Sequence, residues 1–212
     1  MERLLCLLVG YLFGLFQTGY LYGRMNGIDI RQYGSGNSGT TNALRVLGKK
    51  AGLIVFAGDF LKTVIPCVAV RLLFRGSGME HLLMLYTGLG VILGHNYPCY
   101  LGFRGGKGIA ATAGILVASD IRVTLACLIV FVSLVAITRY VSLGSLVVVV
   151  VFWAMNAMFA FRGDYGLAAG TIWEYLGVAA VITLLAFWRH RANIVRLIHG
   201  NENPLWGKGK KK

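Results

Sequence analysis

This sequence predicts an all-α, polytopic membrane protein of about seven transmembrane helices, and three observations carry the prediction. Its 212 residues are 57% apolar with a mean hydropathy of +0.68, more than an ordinary soluble domain tolerates. The apolar residues gather into segments long enough to cross a bilayer. Its Lys and Arg residues, which bring the formal charge to +13, crowd into alternate connections between those segments.

Spanning segments fall near 4–23, 51–74, 80–97, 121–138, 142–160 and 168–188. The first follows only Glu2 and Arg3 and lacks a small-residue cleavage site, so it reads as a helix retained in the protein rather than a secretory signal. A seventh apolar segment, 107–118, makes a helix of about 18 Å, short of a hydrocarbon core of about 30 Å, and reads as a partial span. Ser119-Asp120-Ile121-Arg122 is read as a turn that separates it from the next helix. One integral-membrane domain, 1–202, then precedes a basic tail, 203–212.

With seven spans, the connections after spans one, three and five share a face with the C-terminal tail. That face carries Arg24, Arg31, Arg45, Lys49, Lys50, Arg104, Lys107, Arg139, Arg189, Arg191, Arg196 and Lys208 to Lys212, whereas the other keeps only Arg3, Arg71, Arg75, Arg122 and Arg162. The positive-inside rule places the N-terminus outside and the C-terminus in the cytoplasm. The positive charge is thereby a topology signal, and nucleic acid drops out as a partner. Cys6, Cys67, Cys99 and Cys127 are scattered without a CxxC spacing, which excludes a zinc site and a disulfide framework, so no metal is expected.

Polar residues concentrate in five places. Gly34-Ser35-Gly36-Asn37-Ser38-Gly39-Thr40-Thr41-Asn42, with Arg45 behind it, combines small residues, hydroxyls and amides with a cation able to grip an oxyanion in two places. Its formal GxGxxG lies between membrane helices instead of in a βαβ unit, so it is not a dinucleotide site. Gly94-His95-Asn96-Tyr97-Pro98 leads to Gly105-Gly106-Lys107-Gly108; Leu101 stands where a nucleotide P-loop needs glycine and Gly108 where it needs Ser or Thr, which leaves an anion-binding turn at a helix start or a Gly-rich hairpin between helices. His95 sits at a helix end, suited to capping or to catalysis.

Ser142 opens the sixth span as an N-cap whose hydroxyl faces the same side. After the last span, His190 and Asn193 are neighbours on one helical face, with Arg196 and Glu202 beyond them. Asp59 and Lys62, inside the second span, read as an i,i+3 ion pair facing the bundle interior.

The run Asp29-Ile30-Arg31, Ser35-Gly36-Asn37-x-Gly39-x-Thr41-Asn42-x-x-Arg45, Asp59-x-x-Lys62, Gly94-His95-x-x-Pro98, Gly105-Gly106-Lys107-Gly108, Ser142 and His190-x-x-Asn193-Ile194-x-Arg196-Leu197-x-x-Gly200-x-Glu202 strongly resembles the bacterial acyl-phosphate:glycerol-3-phosphate acyltransferases, the PlsY-type membrane enzymes. The likeness runs to about Glu202. Leu15 and Gln17 depart from the Ser and Pro expected there, Thr63 from a Gly, and Lys208 to Lys212 extend past the pattern.

The resemblance implies a seven-helix inner-membrane enzyme that transfers a fatty acyl group from acyl phosphate to the 1-hydroxyl of glycerol 3-phosphate. The products are lysophosphatidic acid and inorganic phosphate. Arg45, Lys107, Ser35 and Ser142 are expected to hold phosphate, helped by Gly36, Asn37, Thr41, Asn42, Arg196 and the 105–108 backbone, with His190 and Asn193 orienting the acceptor. Asp59, Lys62, His95 and Glu202 are expected to support them. The general base is left open between His190 and a substrate phosphate. No cofactor is implied.

No H-x-x-x-x-D follows any histidine and no GxSxG occurs, so neither the His-Asp acyltransferases nor a serine acyl-enzyme fits. A transporter for phosphate or a phosphorylated metabolite is the alternative; it predicts internal repeats and charged residues near mid-membrane, whereas the sequence shows no repeat and its polar motifs cluster at one face.

Overall fold

The structure is a computed structural model that describes residues 1–206; the lysine-rich run Lys208–Lys212 lies outside the described residues. Among the described residues there are helices and short turns but no strand. In order they are α1 (Glu2–Gly14), α2 (Thr18–Met25), α3 (Thr40–Leu47), α4 (Lys49–Leu73), α5 (Glu80–Asn96), α6 (Ile109–Ser119), α7 (Ile121–Thr138), α8 (Val141–Phe161), α9 (Ile172–Arg189) and α10 (Arg191–Ile198).

Among the described residues, five stretches are long and apolar enough to cross a membrane: α1 with α2, then α4, α7, α8 and α9. α5 has 17 residues, about 26 Å of helix, and lies almost wholly buried among the others. α6, with 11 residues, is the expected short helix. The turn before α7 is there too, because Asp120 Oδ1 accepts from the Arg122 amide at 2.7 Å and caps the new helix.

The first span is not continuous. Between α1 and α2 the chain breaks at Leu15–Gln17, where the Gln17 side-chain nitrogen donates to the carbonyls of Gly14, Gly94 and His95 at 3.1–3.2 Å. The break leaves the Phe16 carbonyl without a helical partner and ties the end of α5 to the first span.

Close approach of α1 to α5 depends on glycine. A Cβ at Gly10 would lie 2.0 Å from the Thr87 carbonyl oxygen, and one at Gly90 2.1 Å from that of Leu7. Backbone contact of this kind is how membrane helices gain packing energy where lipid supplies no hydrophobic drive. The interior is closed by Leu82, Leu85, Val91, Ile115, Phe152, Tyr175 and Ile182, while Leu125, Ile129, Val132 and Ile137 of α7 point outward, as a lipid solvent permits.

Polar connections collect at the two ends of the bundle. At one end Arg31 donates to the Leu101 carbonyl, Lys107 reaches Asn193, and the Leu205 amide donates to the Arg139 carbonyl. Arg3–Glu174 and Arg122–Asp164 pair at the other end. The cation-rich connections predicted to share a face therefore do so.

Candidate active site

α3 and the loop before it form one wall of the site. The Asn42 amide nitrogen donates to the Ile30 and Tyr33 carbonyls at 3.1 and 3.0 Å, and its oxygen accepts from the Ser35 amide at 2.8 Å. Gly34, at φ +60°, leaves room for that oxygen, which a Cβ would approach to 2.3 Å. Asn37 Oδ1 accepts from the Gly39 amide at 2.9 Å. These two asparagines give the loop its shape, and Ser35 and Thr41 line the cavities it borders. On α3, Arg45 donates to the carbonyls of Asn203 and Pro204 at 3.2 and 3.5 Å. Burial lowers its pKa, with Glu202 acting in the opposite sense.

A second wall is the glycine loop. The Gly105 and Gly106 amides donate to the Asn96 and His95 carbonyls at 3.2 and 3.0 Å, so these two groups hold the loop onto α5 and are not available to a phosphate. Lys107, Gly108 (φ +82°) and the first turn of α6 keep amides directed at the helix N-terminus.

Arg189, at the end of α9, donates to the Gly105 carbonyl at 2.9 Å and to that of Gly106 at 2.7 and 3.0 Å. Sequence reasoning counted Arg189 only as a topology charge. The signal available was a cation one residue before His190, in the last helical turn, where it can reach back to a neighbouring loop.

The third wall follows α9. His190 Nδ1 lies 2.7 Å from the Ala186 carbonyl, an acceptor, so Nδ1 carries the proton and Nε2 keeps its lone pair. Burial and the nearby Lys107 charge push the His190 pKa down to about 4, leaving a neutral ring. Lys107 Nζ donates to Asn193 Oδ1 at 2.5 Å, Asn193 Nδ2 donates to Glu202 Oε1 at 3.0 Å, and Arg196 Nε donates to Glu202 Oε2 at 3.0 Å. With both ends of its amide engaged, Asn193 aims Lys107 and anchors the buried Glu202. Burial lowers the Lys107 pKa to about 8, near enough to neutrality for the ammonium to titrate within a usable pH range.

Beneath the glycine loop lie Asp59, Lys62 and His95, all buried. Lys62 pairs with Asp59 at 2.8 Å as expected, and it also reaches His95 Nδ1 at 2.9 Å. Ser142 is not the N-cap expected of it: Tyr140 holds that position, and Ser142 lies buried in the first turn of α8 with a hydroxyl that has no partner among the described residues.

Two cavities meet at these walls. The outer one, about 980 Å³, holds Arg31, Gly36, Arg104, Gly105 and Arg189; the inner one, about 280 Å³, holds Thr41, Arg45, Gly108, Ser142 and His190. Ser35, Asn37, Lys107, Asn193 and Arg196 border both. Phe56, Phe131 and Val141 give the inner cavity an apolar side. Such a chamber can hold anionic oxygens against fixed cations while an alkyl chain lies along its wall.

Residues 4–200 match the family model described as glycerol-3-phosphate acyltransferase. The chain is 43% identical over 199 residues to the glycerol-3-phosphate acyltransferase of Clostridioides difficile (strain 630), covering 93% of this chain and 92% of that one. To the enzyme of the same name from Aquifex aeolicus (strain VF5) it is 36% identical, covering 96% and 99%. The crystal structure of PlsY (YgiH), an integral membrane glycerol 3-phosphate acyltransferase, in its glycerol 3-phosphate form superposes with a TM-score of 0.83 at 36% identity over 98% of this chain and 96% of that chain. Its lysophosphatidic acid form gives 0.79 at the same identity, over 96% and 95%.

Together with the apolar helices these likenesses make the protein a multi-pass membrane protein. The chain belongs to the glycerol-3-phosphate acyltransferase family.

Proposed function

We propose that the protein transfers a fatty acyl group from acyl phosphate to the 1-hydroxyl of glycerol 3-phosphate, at the cytoplasmic face of a bacterial inner membrane. The observation that carries this reading is the inner cavity, which Arg45 and Lys107 line together with Ser142 and His190, and to which Phe56 and Phe131 add apolar surface. Cations suit two phosphate-bearing substrates, and the apolar side suits an acyl chain. The relatives are acyltransferases, which leaves the transporter reading without support.

In this mechanism the glycerol hydroxyl oxygen attacks the acyl carbonyl carbon, a tetrahedral oxyanion forms, and the bond to phosphate breaks. Ester and inorganic phosphate result. Arg45, Lys107, Ser35 and Ser142 hold the phosphate groups, and His190 Nε2 accepts the hydroxyl hydrogen bond that aims the attack. Burial and the Lys107 charge push the His190 pKa down to about 4, which makes the ring a weak base and favours a substrate phosphate oxygen as the destination of the proton. An acyl phosphate is already activated, and positioning alone can contribute about 7–11 kcal/mol.

The test supplies purified protein with glycerol 3-phosphate and either palmitoyl phosphate or palmitoyl-CoA. Lysophosphatidate is expected from the phosphate donor. Product from CoA alone would refute the donor, and product from neither would refute the enzyme.

A further inference from the structure

The Asp59–Lys62–His95 cluster was expected to support the site residues, with His95 suited to capping or to catalysis, and its geometry gives one atom a task in the inner cavity. Lys62 Nζ has three partners, the Phe16 carbonyl at 2.6 Å, Asp59 Oδ1 at 2.8 Å and His95 Nδ1 at 2.9 Å. An ammonium has three N–H donors and no lone pair, so each donor is taken and His95 Nδ1 must be an acceptor. The imidazole proton is therefore on Nε2.

The donors of this lysine are held in place. The Phe16 carbonyl is available because the first span breaks there, and Asp59 Oδ1 is steadied by a hydrogen bond from Thr18 Oγ1 at 3.1 Å. His95 itself is 3% exposed. Nε2 faces the glycine loop so closely that a Cβ on Gly106 would lie 2.0 Å away, and no group among the described residues accepts its proton. His95 also borders the inner cavity, along with Lys107, Ser142 and His190. A donor that no protein group takes is free to bind a ligand oxygen, and a charged oxygen is the acceptor that gains most from it.

We propose that His95 Nε2–H binds an anionic oxygen of the substrate in the inner cavity, its tautomer fixed by Lys62. The proposal deepens the acyl-transfer reading and rests on it for the identity of the anion. It also gives the two histidines of the cavity opposite tasks: His190 Nε2 accepts from the hydroxyl, and His95 Nε2 donates to a phosphate oxygen or to the oxyanion that forms during transfer. Both sources offer the same negatively charged oxygen.

Two substitutions separate the ends of the ring. Gln at position 95 places an amide nitrogen near the Nε2 position, whereas Asn keeps an acceptor near Nδ1 for Lys62 and does not reach the cavity. His95→Asn is expected to lose roughly ten- to a hundredfold in kcat/KM, the range for one hydrogen bond to a charged oxygen, with His95→Gln the more active of the two. A rise in KM for one substrate assigns the oxygen to its phosphate; a fall in kcat alone assigns it to the oxyanion. Equal activities, or Asn above Gln, would overturn the proposal, because His95 would then serve only Lys62.

Nitrogen-15 NMR of the imidazole in the unsubstituted protein keeps the test open if either variant misfolds. The expected result is a neutral ring protonated at Nε2, with the Nε2–H proton shifting downfield when glycerol 3-phosphate is added. Protonation at Nδ1 would refute it, and so would no response to the ligand together with an unchanged kcat in His95→Asn. Lack of transfer by the wild-type protein, with the NMR response intact, would sink the acyl-transfer reading and leave the anion site standing.

Discussion

Lys107 is the residue on which the phosphate-binding account depends most, since it borders both cavities and is aimed by Asn193 at 2.5 Å. Lys107→Met removes the cation and keeps most of the side-chain volume. A unit charge about 3 Å from a phosphate oxygen at an effective dielectric near 20 attracts with about 5 kcal/mol. Desolvation offsets much of that, and a charge-assisted hydrogen bond contributes about 1.5–3 kcal/mol net, or roughly 10- to 150-fold in kcat/KM.

The pH profile sharpens this test. Because the Lys107 pKa is lowered to about 8, its positive form holds below that pH and is lost as pH rises through it, so kcat/KM should be level between about pH 7 and 8 and fall above. The Arg45 guanidinium stays charged over the same range. Lys107→Arg should carry the plateau to higher pH, since a guanidinium does not titrate there. Initial rates of lysophosphatidate formation from pH 6 to about 9.5 measure both effects. Lys107→Met within about threefold of wild type, or an unchanged alkaline limb in Lys107→Arg, would refute the assignment.

Other residues give narrower tests. His190→Ala should raise KM for glycerol 3-phosphate while turnover at saturation stays within about tenfold, because the ring orients the hydroxyl; a loss beyond about a thousandfold would make it the general base. Gly106→Ala puts a methyl 2.0 Å from His95 Nε2 and should lower stability by about 1–3 kcal/mol along with activity, read from melting in detergent and from rates; a fully active, equally stable variant would contradict the packing. Arg189→Met leaves the Gly105 and Gly106 carbonyls without their donor and should lower the melting temperature and raise KM together, and a change in neither would show that the loop holds its shape unaided.

The helices were legible because each apolar run is bounded by a polar break, and Asp120 marks its turn with a residue that both interrupts hydrophobicity and caps a helix. The break at Leu15–Gln17 was not, because its cause is tertiary: one amide meeting carbonyls from α5, 77 and 78 residues away. Motif residues from Ser35 to Arg196 gathered as expected, since their spacing put them on one end of the bundle. What spacing does not contain is which donor meets which acceptor. Thus Asn193 turned out to aim Lys107, and Asn42 to brace the loop. Arg189 was hidden by its position at the end of a span, where a cation has an ordinary topological explanation. Thr63 likewise departs from the family pattern without visible harm, since Gly114 of α6 packs against it where a Cβ would come within 2.7 Å.

The central claim is that the inner cavity holds a substrate phosphate between α3 and the glycine loop. A structure of this protein with glycerol 3-phosphate bound tests it most directly. Phosphate oxygens within about 3 Å of both the Arg45 guanidinium and the Lys107 ammonium, with the hydroxyl end toward His190 Nε2, are the predicted result. A phosphate seated in the outer cavity beside Arg31 and Arg104, with Arg45 still bonded to the Asn203 carbonyl, would contradict it.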